Sequence, residues 1–514
     1  DNVNITAKND AALSVEGAGD TKITLRGSNT LTNDLLHAGL EHNEKSEDGS
    51  YTGKLTITSE KDADGNDTGS LTATGGNGAA GIGSSDGNGA GTIEITGGNI
   101  TANGGNNAAG IGSGYNSNGN TTINIEGGTI VKAQGGSGRG SSGGAGIGGG
   151  DIGSGYTGSS TTNITISGGT IKEAVGGTTG DGIGGSSGNR SNSTTVTING
   201  GRIEKAQGGQ GYSIFDGGDG IHSGSVVKIS GDTITKATGG ASTDDTGGDG
   251  IRSGSLLTIK GGEIKQATGG NATGSTGTGG SGIRSNGTLT IKGGEIQQTA
   301  GGDATGKGGT GGSGIRSDSS VKIWGGTITK ATGGSGKSGG AGVPTESGIV
   351  SIGNSDTPLD LTATAPDADN AIRGRDGKKL DEIIHLEENG KPGLVKLVEN
   401  GVTRLFHNGV YTKSIYPAGS ETHPLGDWVI TKKPTCTEPG EKQRSCKVEH
   451  CVVTETEELP ALGHQWSGWM PVQGDSSREY RICAVCNEVE YRDVSHNSGI
   501  GDSTISTGLR VLDP

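Results

Sequence analysis

The chain has 514 residues, of which 109 are glycine, while hydrophobic residues make up only 27% and aromatic residues 3%. That excludes a wide globular core and leaves a narrow one that repeats, with one or two Ile or Val per layer closed by glycine turns. The formal net charge of −15 argues against nucleic acid and anionic membrane as partners, and no apolar run is long enough to span a bilayer.

In chain order, Asn2–Leu25 and Leu55–Ile57 read as strands, with a polar insertion at 38–53. No signal peptide is visible and the chain starts inside a patterned stretch, which reads as a processed form or a fragment. A cue of the form L-T-I-x-G-G-x-I-x-x-A-x-G-G then recurs. Its second isoleucine falls at Ile100, Ile130, Ile171, Ile203, Ile234, Ile264, Ile296 and Ile328, in steps of 30 to 41 residues. A second cue, Gly-Ile followed by Gly, His or Arg, falls at Ile82, Ile111, Ile147, Ile183, Ile221, Ile251, Ile283 and Ile315. The two alternate strictly, so they belong to one unit, and fixed periods of this length mean solenoids, propellers or arrays.

Local pattern selects among these. Leu289-Thr290-Ile291 and Val321-Lys322-Ile323 alternate apolar and polar residues, the period-2 signature of a strand, and no stretch shows a helical period. Each unit holds three short strands separated by Gly-Gly corners, and leucine-rich and WD signatures are absent. The expectation is an all-β chain: a right-handed, single-stranded parallel β-helix over residues 1–355, with roughly ten coils of about 30 residues. Column reading agrees. An alanine stands three residues after most of the repeat isoleucines, as at Ala133, Ala174, Ala206, Ala237, Ala267 and Ala331, where an inward side chain must be small.

After residue 355 the glycine repeat stops. Residues 356–420 read as a cap or linker, with a charged stretch, Lys378–Glu388, and strands at Leu394–Val398 and Val402–Phe406 closing the open end of the stack. Residues 421–495 read as a small β module of two halves: Trp428…Arg444-Ser445-Cys446…Cys451 and Trp469…Arg481-Ile482-Cys483…Cys486. Cys446, Cys451, Cys483 and Cys486 fit a zinc-knuckle pair. The four-residue gap between the first two departs from the usual spacing. Cys436 permits a disulfide with Cys446 or Cys451 instead, and free thiols are the third alternative. Residues 496–514 form a tail.

One column of the helix carries charge. The residue two before the second-cue isoleucine is Asp181, Asp219 and Asp249 on successive coils, and stacked carboxylates call for a cation such as Ca²⁺ or a basic neighbour. The residue after that isoleucine runs His222, Arg252, Arg284 and Arg316. An arginine ladder beside an aspartate ladder can simply neutralise it. The sharper alternative has Arg252, Arg284 and Arg316 present their forks to a carboxylated ligand or acidic sugar. No Ser/His/Asp spacing, phosphate loop or zinc-protease motif appears, aromatic subsites are scarce, and a non-enzyme is expected.

The string Gly250-Ile251-Arg252…Leu257-Thr258-Ile259-Lys260-Gly261-Gly262-Glu263-Ile264 resembles the β-helical carbohydrate-binding surface proteins of Firmicutes, over roughly residues 60–350. The stretch Cys436-Thr437-Glu438-Pro439-Gly440, continued by Leu459-Pro460-Ala461-Leu462-Gly463-His464-Gln465-Trp466, resembles a repeat module of clostridial cell-surface proteins. The resemblance implies a secreted or Gram-positive cell-surface protein and calcium-assisted binding of polysaccharide or host glycan. Two classes of function follow: an adhesin-like binding module that engages a glycan through a lateral face, or a structural stalk or fibre segment. A polysaccharide lyase or hydrolase comes third.

Overall fold

The computed structural model describes residues 1–344 apart from 46–48, 139–141, 154–159, 186–192 and 214. Beyond these it describes the strands between 350 and 412, and residues 425–445 and 454–494. The described residues contain strands and no helix, so none is long and apolar enough to cross a membrane. The chain divides into two compact units, Asp1–Ser420 and Glu421–Pro514.

The first unit is a parallel β-helix with three strands per coil. In one coil these are Ile251–Ser253, Leu256–Ile259 and Glu263–Thr268. Each pairs in parallel with its counterpart one coil on, Ile283–Ser285, Thr288–Ile291 and Glu295–Ala300. The first face alone stacks ten strands, from Leu13–Ser14 to Ile315–Ser317. Register is set by burial: pairing like with like keeps each isoleucine over its neighbour, whereas a one-residue slip would turn the whole apolar set outward. Three isoleucine ladders result, exemplified by Ile251, Ile259 and Ile264 and their partners Ile283, Ile291 and Ile296, all at most 1% exposed. The alanine column is buried beside them, and Thr299 fills it in one coil.

Glycine is indispensable where coils touch. Gly83, Gly112, Gly148 and Gly184 follow the second-cue isoleucine with φ between +133° and +143°, and a Cβ on Gly148 would lie 1.9 Å from the Gly184 carbonyl oxygen. From the next coil on, the strand lengthens to Ile-His-Ser and Ile-Arg-Ser. That change replaces the glycine column with side chains at His222, Arg252, Arg284 and Arg316. The following serines, Ser223, Ser253, Ser285 and Ser317, are fully buried. Ser253 donates its hydroxyl to the carbonyl of Ser225 at 2.8 Å, so each corner is hydrogen-bonded as well as packed.

Parallel stacking continues beyond residue 355. Gly326–Thr332 pairs with Leu359–Thr364, which pairs with Val395–Glu399. Leu361 and Ala363 extend the buried columns. Only then does the direction reverse, with Val395–Glu399, Val402–His407 and Val410–Thr412 forming an antiparallel meander on the last rung. The strands assigned to a cap therefore include rungs of the helix. The glycine cue ends earlier than the stack because Leu, Thr and Ala alone keep the alternation.

The described residues of the second unit form two three-stranded antiparallel sheets: Val429–Lys432, Gly440–Ser445 and Thr454–Leu459, then Met470–Val472, Asp475–Ile482 and Val489–Asp493. The duplication seen in sequence is repeated in contacts. Lys442 and Arg444 flank the Trp428 ring at 4.7 and 4.6 Å, and Arg481 and Arg492 flank Trp469 at 4.7 and 4.3 Å.

Candidate functional site

Three constellations stand out. The first is the charged column. Asp181, Asp219 and Asp249 are 1%, 3% and 3% exposed, and each hands one carboxylate oxygen to the next coil. Asp181 Oδ1 accepts the Asp219 backbone N–H at 2.8 Å, Asp219 Oδ1 accepts that of Asp249, and Asp249 Oδ1 accepts that of Ser281. The second oxygens face the basic column. His222 Nδ1 is 2.8 Å from Asp181 Oδ2 and 3.7 Å from Asp219 Oδ2. Arg252 lies 3.8 Å from both Asp219 and Asp249, and Arg284 reaches Asp249 at 4.0 Å and Asp318 at 2.9 Å. Arg316 meets Asp318 at 3.2 Å. The two columns form a zipper of alternating charge.

Burial raises the pKa values of Asp219 and Asp249 above the ordinary 3.8, against the pull of Arg252 and Arg284. Burial opposes the His222 imidazolium, but the charge and hydrogen bond of Asp181 and the charge of Asp219 outweigh it and hold His222 above 6.5. Ligand atoms of Asp181, Asp219 and His222 lie within 4.8 Å of one another. They open onto a recess of about 250 Å³ that is also lined by Asp216, Arg252 and Asn286. The set that converges thus includes a histidine nitrogen, whereas Asp249 is turned to two arginines. Arg252, Arg284 and Arg316, read in sequence either as neutralising the acid column or as presenting forks to a ligand, lie within ion-pair distance of that column or of Asp318.

The second constellation lies on another face. Outward from four successive strands stand Lys228, Thr258, Thr290 and Lys322, in register. Two residues further, just past the end of each strand, stand Ser230, Lys260, Lys292 and Trp324, held coil to coil by Lys260 N–H to Ile229 O, Lys292 N–H to Ile259 O and Trp324 N–H to Ile291 O. Together they line a shallow groove of about 440 Å³ with four ammonium groups and no carboxylate in its lining. Lys292 and Lys322 sit 5.0 and 5.3 Å from the Trp324 ring centroid. The indole Nε1 is buried without an acceptor among the described residues. At one outward offset of the repeat the sequence carries Glu94, Lys228, Thr290 and Lys322, a mixed column, and the column beside it went unread. The signal was the variable position of the L-T-I-x-G-G cue, which changes from Asn199 and Ser230 to Lys260, Lys292 and Trp324 only near the end of the stack.

The third constellation is in the second unit. Sulfur or nitrogen atoms of Cys436, His464, Cys483 and Cys486 lie within 4.8 Å of one another. The three cysteines are free thiols, with Cys436 and Cys483 buried. Burial, reinforced by hydrogen bonds shared with the Cys486 and Cys483 sulfurs, pushes Cys436 up to about 12. Burial acts the same way on Cys483 but is outweighed by N–H bonds from Cys486 and Val485 and by His464, which bring it to about 6. Of the four cysteines grouped in sequence, Cys483 and Cys486 lie in this cluster. Cys446 and Cys451 lie outside the described residues, and Cys436 and His464 take part in the cluster. Only the Gly-His pair ahead of Trp466 hinted at the histidine.

No known protein family, curated protein or solved structure matches the chain.

Proposed function

We propose that the chain is a non-catalytic, secreted or cell-surface β-helix that binds an acidic polysaccharide along the groove of Lys228, Lys260, Lys292, Lys322 and Trp324. One observation carries the reading: four ammonium groups, one per coil at about 4.8 Å per rung, line a groove with no acidic residue in it, and two of them flank an indole. In a chain of net charge −15 this is a local reversal of sign. Lysines spaced along a stiff face match a polymer with regularly spaced carboxylates or sulfates, and the exposed part of the tryptophan ring offers a flat apolar platform for a sugar. The resemblance to β-helical surface proteins supports the same class of ligand. Calcium at Asp181 and Asp219 is not required by this reading.

The test is retention of the purified chain on carboxylated, sulfated and neutral polysaccharides, with and without EDTA, across a salt series. Retention on the acidic matrices alone, weakened by salt and unchanged by EDTA, is expected. Lys260→Ala with Lys292→Ala, and separately Trp324→Ala, are expected to remove it while the melting of the β-helix is retained. Equal retention on neutral matrices, or indifference to these substitutions, would sink the assignment. A structural stalk is the second reading, favoured by the charged zipper, whose acids and bases are matched inside the coil stack. No retention on any matrix would leave that reading.

A further inference from the structure

We propose that the C-terminal unit is a structural zinc site in which Cys436, His464, Cys483 and Cys486 hold one Zn²⁺ and tie its two sheets together. Three thiolates and an imidazole are one of the closed ligand sets of structural zinc. Distances fit the ion. Zinc–sulfur bonds of about 2.3 Å place tetrahedral sulfurs about 3.8 Å apart, and Cys436 Sγ and Cys483 Sγ are 3.7 Å apart. Cys486 Sγ is 3.3 Å from His464 Nδ1.

The surroundings are those of a metal ligand set. His464 turns its other nitrogen, Nε2, to Glu488 Oε2 at 3.3 Å. A carboxylate there holds the proton on Nε2 and leaves the Nδ1 lone pair for the ion. Trp466 stacks on the imidazole at 4.7 Å and fixes its plane. The Val485 backbone N–H points at Cys483 Sγ at 3.4 Å, a donor that stabilises a thiolate.

Energetics supply the need. Among the described residues of this unit only Cys436, Gly440 and Cys483 are buried, so thiols occupy the place an apolar core would fill. Two three-stranded sheets without a core require a staple. Cys436 follows the first strand of the first sheet, His464 lies in the stretch between the two sheets, and Cys483 and Cys486 belong to the second half, so one ion bridges both. The softness of three thiolates selects zinc over calcium or magnesium. Binding displaces whatever protons the three thiols still carry, which leave to solvent, and the imidazole enters neutral. This set retains Cys483 and Cys486 from the sequence reading and substitutes Cys436 and His464 for Cys446 and Cys451.

The experiment uses the full chain, reduced and stripped of metal, titrated with Co²⁺ and then with Zn²⁺. One Co²⁺ per chain with the thiolate charge-transfer and tetrahedral d–d bands, displaced by zinc, is expected. Cys446→Ser with Cys451→Ser should keep these bands. Cys436→Ser and His464→Ala should each abolish them, and Glu488→Gln should weaken affinity about 10–100-fold. Thermal melting of the β-helix serves as the control for folding in every variant. Absence of a tetrahedral cobalt spectrum overturns the proposal. So does its loss in the Cys446/Cys451 variant with retention in Cys436→Ser, or a disulfide at Cys436 or Cys483 in chain isolated without reductant.

Discussion

Asp181, Asp219 and Asp249 show how a parallel stack tolerates buried like charges. Each carboxylate divides its oxygens, one to the backbone N–H of the next coil and one to a cation beside it. Removing one member strands the others: Asp249→Ala leaves Arg252 and Arg284 short of a counter-charge and the Ser281 N–H without its acceptor. A loss of about 3–5 kcal/mol is expected from breaking such a buried arrangement, read from denaturant unfolding, with Asp249→Asn milder because its amide oxygen still accepts. The pH dependence has a definite sign. Asp219 and Asp249 titrate above 3.8 and His222 above 6.5 in the folded chain, so at these three sites the folded state binds more protons than the unfolded one. Their contribution to stability therefore falls as pH rises, first through the raised carboxylate values and then, above 6.5, through that of His222. His222→Gln should flatten the upper part of that decline, and an unchanged slope in melting temperature against pH would remove the histidine from the account.

At the scale of the coil, isoleucine and glycine play opposite parts. Ile259 is 1% exposed and stacks between Ile229 and Ile291. Ile259→Ala is expected to cost about 2–5 kcal/mol, with hydrogen-exchange protection lost first in the adjoining rungs because each coil contacts only its neighbours. Gly148→Ala tests the corner, where positive φ and the Gly184 carbonyl both forbid a side chain. It should expose the chain to proteolysis, whereas Gly19→Ala, with open space around it, should not. Much of this scale was legible: the two cues mark the ladders because inward side chains must be apolar and outward ones are not constrained. The rungs at Leu359–Thr364 and Val395–Glu399 were not assigned to the stack, since they lack the glycine pair that made the earlier ones visible.

Over the whole molecule, charge is distributed against the average. Acidic groups are drawn inward in the zipper, and ammonium groups collect on one lateral face near the end of the coil stack. Salt dependence is the corresponding observable: binding to an acidic polymer should weaken steeply as ionic strength passes from about 0.01 to 0.15 M, over which the screening length falls from about 30 to 8 Å. Lys228→Glu should act in the same direction by placing a negative charge in the groove. Indifference to either would separate retention from the lysines.

Composition and period alone determined that this chain is a stack of parallel coils, because a narrow repeating core is the one arrangement that so much glycine and so little aromatic side chain can fill. They also placed the aspartate and arginine columns and the duplication around Trp428 and Trp469, since a column is only a fixed offset from a repeated residue. What the tertiary structure decided is who meets whom across offsets that sequence does not fix. It turned Arg252 and Arg284 inward to the carboxylates, and it aligned Lys260, Lys292 and Trp324 beside Lys228 and Lys322. It also brought Cys436 of the first half, and His464 of the stretch between the halves, to Cys483 and Cys486 of the second. Side-chain direction, hairpin geometry and the demand that buried charge be paired set these meetings, and they act only once the backbone has folded.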